Sequence, residues 1–174
     1  LWDYIFLVRT SIDEWKTTPW KDIDVENMDM ECKKFSKDIR GWDKDMRQWD
    51  TFIGLELTVK NMLTSLRAVG ELQNPAIRDR HWNQLVVATR VNFNMSEDTT
   101  LADLLHLNLH NFEDEVHNIV DKAIKEMAME RMLKELEVIW SAMEFLHETH
   151  ARTGYTLLRT SEELIETLEE NQVK

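Results

Sequence analysis

The chain has 174 residues and a formal net charge of −12, from 33 acidic and 21 basic side chains. Its length suits one domain of about 100–200 residues, and its 43% hydrophobic content is enough to bury a core. Four Gly and two Pro are too few for the turns of an all-β sandwich or for a phosphate-binding glycine loop, so a mainly helical fold is predicted.

The charge and the cysteine content exclude several classes of partner and environment. An acidic surface repels phosphate backbones and anionic lipid, so neither nucleic acid nor a membrane is expected as a partner. One cysteine, Cys32, excludes an internal disulfide and is typical of a reducing compartment. No apolar run approaches the roughly 20 residues of a membrane span. Residues 1–6 read as the inside of a helix, so we expect a piece of a longer chain.

The first predicted helix covers residues 1–16 and is broken by Thr17, Thr18 and Pro19. Asp24 or Asn27 could cap the next helix. From Asp24 onward, apolar residues recur at alternating steps of three and four, which is the spacing of a heptad seam. This pattern predicts one long helix that continues through Gly41 and packs along another helix. The candidate seam residues are Val25, Met28, Cys32, Phe35, Ile39, Trp42, Met46 and Trp49.

The middle of the chain continues the helical pattern. A third helix, or an extension of the second, is predicted from Phe52 to Gly70. Pro75 suits the first position of the next helix, which we expect to reach about Arg90. Residues 91–99 are predicted to form a loop, and Thr99 or Thr100 caps a short helix at residues 101–105.

The last part of the chain predicts a long helix, a hairpin and a closing helix. The stretch from His110 to about Met143 contains neither Gly nor Pro and would form a helix of about 50 Å. A compact globule of this length is only about 40 Å across. We therefore expect an elongated antiparallel helical bundle as a single unit over residues 1–174. Its long helices occupy about 1–143, a β-hairpin with a turn at Thr153 and Gly154 occupies about 144–158, and an acidic helix occupies about 161–172.

Catalytic and metal-binding chemistry has little support in this sequence. Neither G-x-x-x-x-G-K-[ST] nor G-x-G-x-x-G occurs, and Cys32 lies on the apolar seam, where a structural thiol is expected. No catalytic residue and no cofactor are expected. Two weak metal candidates remain, a single E-x-x-H motif at residues 144–147 and a His and Asp series that would require one continuous helix. That series is His106, His110, Asp114 and His117.

One short segment, residues 78–82, is unusually dense in functional groups. Arg78, Asp79, Arg80, His81 and Trp82 place two guanidinium groups, a carboxylate, an imidazole and an indole side by side. Arginine beside tryptophan and aspartate can stack and form bidentate pairs that hold a helix start against another element. The alternative is a docking patch for a partner.

Residues 74–82 read N-P-A-I-R-D-R-H-W and resemble the N-P-x-x-R-x-R-H-W stretch of dynein heavy chains. That stretch lies in the linker, the region just before the motor ring. Residues 101–126 and 163–173 resemble the same family, so the resemblance covers nearly the whole chain and is strongest to axonemal members. Ile77 is a conservative departure, since Met or Leu is common there.

The resemblance implies the N-terminal part of the linker, a helical lever that lies across a ring of AAA+ ATPase modules. The implied partners are the remainder of the heavy chain with that ring, together with dynein accessory chains. Direct contact with the microtubule is not expected. The implied location is the cytoplasm and cytoskeleton, in the axoneme of a cilium or flagellum.

Two other functions compete with the lever. One is a helical scaffold or tail module that binds other dynein subunits or axonemal proteins, and the other is a metal-dependent helical enzyme. If the chain is a lever, its candidate pliable points are residues 17–19, residues 70–75 and the turn at Thr153 and Gly154, where Gly and Pro interrupt the helices.

Overall fold

A computed structural model describes residues 1–96 and 98–173. Within these residues the fold is mainly α, with a small antiparallel hairpin near the C-terminal end, as the sequence predicts. The helices are α1 Trp2–Lys16, α2 Val25–Arg40, α3 Asp50–Leu72, α4 Asp79–Thr89, α5 Leu101–Leu105, α6 Glu113–Ala142 and α7 Glu162–Gln172. The strands are β1 His147–Thr149 and β2 Thr156–Leu158, and short 3₁₀ turns lie at Trp20–Asp22, Lys44–Gln48 and Leu109–Asn111.

The chain divides into two compact units. The first unit is Leu1–Lys125 and the second begins at Glu126, so the division falls within α6. None of the described helices combines the length and the apolar character that crossing a bilayer requires.

The predicted seam helix starts where expected and ends early. The Asp24 carboxylate accepts a hydrogen bond from the Asn27 N–H at 3.0 Å and caps α2. The helix stops at Arg40, and the Gly41 N–H donates to the carbonyl oxygens of Lys37 and Asp38, both at 3.1 Å. The prediction of one helix running through Gly41 was therefore wrong. Glycine is a poor helix former, and tertiary packing ended the helix at this weak position.

The seam residues are buried only within α2. Ile39 and Cys32 are 1% exposed, and Met28 and Phe35 are also buried, where α2 packs along α3. Val25, Trp42 and Met46 are half-buried, and Trp49 is 51% exposed. The heptad spacing breaks down after Gly41 because the following residues form a turn and a 3₁₀ segment, which point side chains in other directions.

The next helix boundary also differs from the prediction. The third helix continues through Gly70 to Leu72, and a Cβ at residue 70 would lie 3.2 Å from Val25 Cγ1. Pro75 does not begin a helix. The Asn74 side chain accepts from the Ala76 N–H at 2.9 Å and forms a turn there, so α4 starts only at Asp79.

The short helix α5 and the start of α6 are set by local geometry. Thr100 precedes α5 and its backbone N–H donates to the Asp103 carboxylate at 2.9 Å, as in a capping box. Asn108 then adopts a left-handed conformation with φ 51°, and a 3₁₀ turn separates it from α6. The predicted long helix is thus confirmed from Glu113 to Ala142, which is about 45 Å at 1.5 Å per residue.

The hairpin and the closing helix match the sequence pattern closely. β1 pairs with β2, with Glu148 opposite Leu157, and Gly154 occupies the turn with φ +73°. That conformation favours glycine because it has no Cβ. The Ser161 side chain accepts from the Leu164 N–H at 3.2 Å and caps α7.

Candidate functional site at residues 78–82

The segment 78–82 forms the start of α4. Arg78 has an extended backbone and its N–H donates to His81 Nδ1 at 3.1 Å, while the His81 N–H donates to the Arg78 carbonyl at 2.8 Å. His81 is 1% exposed. Because Nδ1 accepts a hydrogen bond, the proton of the neutral imidazole lies on Nε2. The His81 imidazole thus takes the place of the Glu or Gln side chain that accepts from the N-cap N–H in a capping box.

Trp82 lies at the centre of an aromatic cluster. Its ring is 5.6 Å from that of Trp20 in a T-shaped arrangement and 5.8 Å from that of Phe93. Trp82 is only 8% exposed. Such aromatic pairs add roughly 0.5–1.5 kcal/mol each beyond the area they bury. This cluster joins the start of α4 to the 3₁₀ turn at Trp20–Asp22, which is distant in the sequence, and to the chain that follows α4.

The loop that carries Trp20 is itself fixed to the chain before α5. The Trp20 N–H donates to the Thr99 carbonyl at 2.8 Å, and the Leu101 N–H donates to the Thr18 carbonyl at 3.0 Å. Pro19 and Thr100 thereby form an isolated antiparallel bridge. Bending at residues 17–19, one of the expected pliable points, would require these two bonds to break.

The five residues of the candidate site fall into two groups. His81 and Trp82 are buried, whereas Arg78, Asp79 and Arg80 are exposed on the first turn of α4. His81 and Trp82 contact the start of α4 and its neighbours, which favours the interpretation that they hold the helix start in place. The exposed charges suit the docking interpretation. Both interpretations stay predictions, and they apply to different residues.

A second aromatic cluster surrounds the end of the seam. The Tyr4 ring is 5.0 Å from Trp42 and 6.1 Å from Phe35, and the Tyr4 hydroxyl donates to Asp38 Oδ2 at 2.9 Å. Burial, and then the hydrogen bond to Asp38, raises the pKa of the Tyr4 hydroxyl. Burial is also the main cause that raises the pKa of the Cys32 thiol to about 12, with Asp29 and Glu31 adding to it. Cys32 is therefore a protonated, buried thiol at neutral pH.

The expected metal candidates are not assembled. His106 ends α5, His110 lies in a 3₁₀ turn, and Asp114 and His117 lie on α6, so the required continuous helix is broken at Asn108. In residues 1–96 and 98–173, no group of three or more His, Cys, Asp or Glu side chains is close enough to hold a metal ion.

His117 has a different role, because it links α6 to α3. Its Nδ1 lies 3.2 Å from Glu71 Oε2, and its Nε2 lies 3.8 Å from Asp121 Oδ2. The hydrogen bond to Glu71 is the main cause that raises the pKa of the His117 imidazole, followed by the charge of Asp121. Sequence reasoning placed His117 only in a metal site, and no local signal indicates Glu71 as its partner.

Comparison with known proteins identifies the family. The model of the family described as dynein heavy chain, N-terminal region 2, matches residues 1–174. This chain belongs to the dynein heavy chain family. The ciliary dynein beta chain of Tripneustes gratilla is 68% identical over 174 residues, and axonemal dynein heavy chain 17 of Mus musculus is 67% identical. The flagellar outer-arm dynein beta chain of Chlamydomonas reinhardtii is 37% identical.

The extent of these matches defines what the chain represents. Each alignment covers 100% of this chain and 4% of the dynein relative, so the chain spans about one twenty-fifth of the curated dynein heavy chains it matches. Residues 74–82, one of the three stretches that carry the family resemblance, include the candidate site at residues 78–82. The chain therefore corresponds to a segment of a dynein heavy chain, and the aromatic cluster around Trp82 lies within it.

Proposed function

We propose that this chain is part of the linker of an axonemal dynein, a non-catalytic lever that transmits ATP-driven changes of the AAA+ ring to the tail. The observation that carries the proposal is the family match over the whole chain together with ciliary and axonemal relatives that are 67–68% identical. The parent chain would be the microtubule motor ATPase. Its proposed location is the axoneme of a cilium or flagellum.

Helix length and continuity support a mechanical role. A lever must resist bending, and bending a helix is easiest where Gly or Pro interrupts it. The 30 residues of α6 contain neither of them. The 23 residues of α3 contain two glycines, of which Gly70 lies against Val25. Neither Gly nor Pro therefore interrupts α6, and α3 runs for 15 residues between Gly54 and Gly70 without either of them.

Exposed apolar side chains in the second unit support contact with the remainder of the heavy chain. Leu133 and Val138 on α6, Tyr155 and Leu158 in the hairpin, and Leu168 on α7 are each at least 52% exposed. Single exposed apolar residues are common, but a group of them on successive elements is typical of an interaction surface. The same observation also favours the scaffold alternative, in which other dynein subunits or axonemal proteins cover this surface.

Crosslinking within the full-length heavy chain distinguishes the lever from the scaffold. A photo-crosslinker is placed at Val138 or at Leu158, and products are mapped with ATP, with ADP and without nucleotide. Crosslinks to the ATPase ring that change with nucleotide support the lever. Crosslinks confined to accessory chains, whatever the nucleotide, overturn it in favour of the scaffold.

The non-catalytic part of the proposal has its own test. The purified chain is expected to show no ATP hydrolysis above background. Turnover that is lost when one residue of this chain is changed would contradict the proposal.

A further inference from the structure

A shallow basic groove lies between α2 and α3, although the chain as a whole is strongly acidic. The cavity has a volume of about 330 Å³ and is lined by Lys33, Ser36, Lys37, Arg40, Leu63 and Arg67. Three of its cations are on α2 and one is on α3, and all four are exposed. The groove belongs to the first unit and is separate from the site at residues 78–82. We call it the basic groove.

The cations of the basic groove are only partly neutralised. Lys33 forms an ion pair with Asp29 on the preceding turn of α2. In the described part of the chain, no carboxylate lies within ion-pair distance of Lys37, Arg40 or Arg67. The nearby Asp38 carboxylate accepts a hydrogen bond from the Tyr4 hydroxyl on another face of α2.

Glu71, one turn after Arg67 on α3, is occupied by His117 at 3.2 Å. No ion pair joins Arg67 to Glu71 in the described chain, and the Arg67 side chain lines the groove.

The helix dipole accounts for only some of this charge. Lys37 and Arg40 lie in the last turn of α2, where cations are stabilised by the C-terminal end of the helix. Lys33 and Arg67 are outside the last turns of their helices. The convergence of cations from two helices thus needs a further reason.

The spacing of the cations fits an extended acidic ligand. Lys33, Lys37 and Arg40 follow the i, i+4, i+7 pattern and extend over about 10 Å of helix, which is too far for one phosphate to contact them all. Carboxylates at the same spacing on a second helix would match them one by one. Leu63, which also lines the groove, offers an apolar contact beside the cations.

Single-stranded nucleic acid fits the lining less well. Such ligands are held by aromatic side chains on which the bases stack, and no aromatic residue lines the cavity in the described chain. The net charge of −12 further disfavours a long polyanion.

We propose that the basic groove is a docking site for an acidic helix of a partner protein, which presents carboxylates at i, i+4 and i+7 beside one apolar residue. This inference does not depend on the lever role. It assigns a protein interaction surface to the α2–α3 pair.

The test uses a labelled helical peptide with Glu at i, i+4 and i+7 and one Leu, titrated with the 174-residue chain by fluorescence anisotropy. Saturable binding with a Kd below about 1 mM is expected, and it should weaken as salt is raised. A peptide with Gln in place of Glu should bind about tenfold more weakly or not at all.

Charge reversal locates the binding site. The double variant Lys37→Glu, Arg40→Glu should lose about tenfold or more in affinity. The matched control Lys122→Glu, Lys125→Glu makes the same change in net charge on α6 and should bind like the unchanged chain. If circular dichroism shows that the reversal variant is unfolded, Lys37→Gln, Arg40→Gln is used in its place.

Four results would overturn the proposal: no saturable binding of the Glu peptide, equal weakening by the control variant, inorganic phosphate binding as tightly as the peptide, or tighter binding of a single-stranded oligonucleotide.

Discussion

Truncation of Trp82 to alanine should destabilise the first unit strongly. Trp82 is 8% exposed and contacts the rings of Trp20 and Phe93. A buried tryptophan hides about 150–250 Å², which corresponds to about 4–6 kcal/mol at 25 cal/mol per Å². Part of this area is already hidden in the unfolded chain, so we expect a loss of about 3–5 kcal/mol, as is usual for core Trp→Ala changes.

Thermal unfolding followed by far-UV circular dichroism measures this loss. For a unit of this size, 3–5 kcal/mol lowers the melting temperature by about 10–20 °C. The matched control is Trp2→Ala, because Trp2 is 72% exposed and its removal should change stability by less than about 1 kcal/mol. If Trp82→Ala melts no earlier than Trp2→Ala, the aromatic cluster does not anchor α4 and the structural interpretation of this segment is refuted.

Three further changes test the core and the contact between α3 and α6. Ile39→Asp should unfold the first unit, because an unpaired buried charge costs several kcal/mol. The control Ile53→Asp, at a 50% exposed position, should melt at nearly the temperature of the unchanged chain. Equal melting temperatures of the two variants would mean that the seam is not part of the core. Cys32 should react slowly with a thiol reagent in the folded chain and completely in denaturant, and fast native reaction would contradict its burial and its raised pKa. The raised pKa of His117 predicts that its contribution to stability is complete below about pH 6.5 and is lost as the pH rises through the folded value. The advantage over His117→Gln in urea unfolding should therefore shrink as the pH is raised above about 6.5. An advantage that does not change with pH would show that the bond to Glu71 is not charge-assisted.

Local signals in the sequence predict the C-terminal hairpin and the closing helix well. Gly154 in the turn, with φ +73°, and Ser161 as the cap of α7 act through their own backbone and near neighbours. Such interactions depend on a few consecutive residues, so the hairpin and the closing helix could be predicted.

The helix boundaries at Gly41 and Pro75 were predicted wrongly because tertiary or side-chain contacts decide there between two possible local conformations. Gly41 could lie within a helix or end it, and the heptad spacing around it favours the first outcome. The second occurs, with Trp42 packed on Tyr4 from α1 and on Phe52 from α3. Pro75 likewise could open a helix, but the Asn74 side chain forms a turn there. Sequence spacing contains no information on either competing contact.

The candidate site at residues 78–82 was located by composition, but its internal division was not predicted. Side-chain type alone does not separate the buried His81 and Trp82 from the exposed Arg78 and Arg80. Helical phase and the aromatic partners outside α4, Trp20 and Phe93, make that distinction. The basic groove was missed for a related reason. The spacing of Lys33, Lys37 and Arg40 along α2 can be read from the sequence, but Arg67 lines the same groove only because α2 packs against α3.

The central claim is that this chain transmits force and performs no catalysis. It is tested most directly in the full-length heavy chain by inserting a short run of glycines after Glu126, within α6, and measuring both ATP turnover and microtubule gliding velocity. Because glycines interrupt the helix, the account predicts nearly normal ATP turnover with clearly slower gliding. The same insert after Arg152, in the exposed hairpin turn, is the control and should slow gliding less. Normal gliding velocity with the α6 insert would contradict the account.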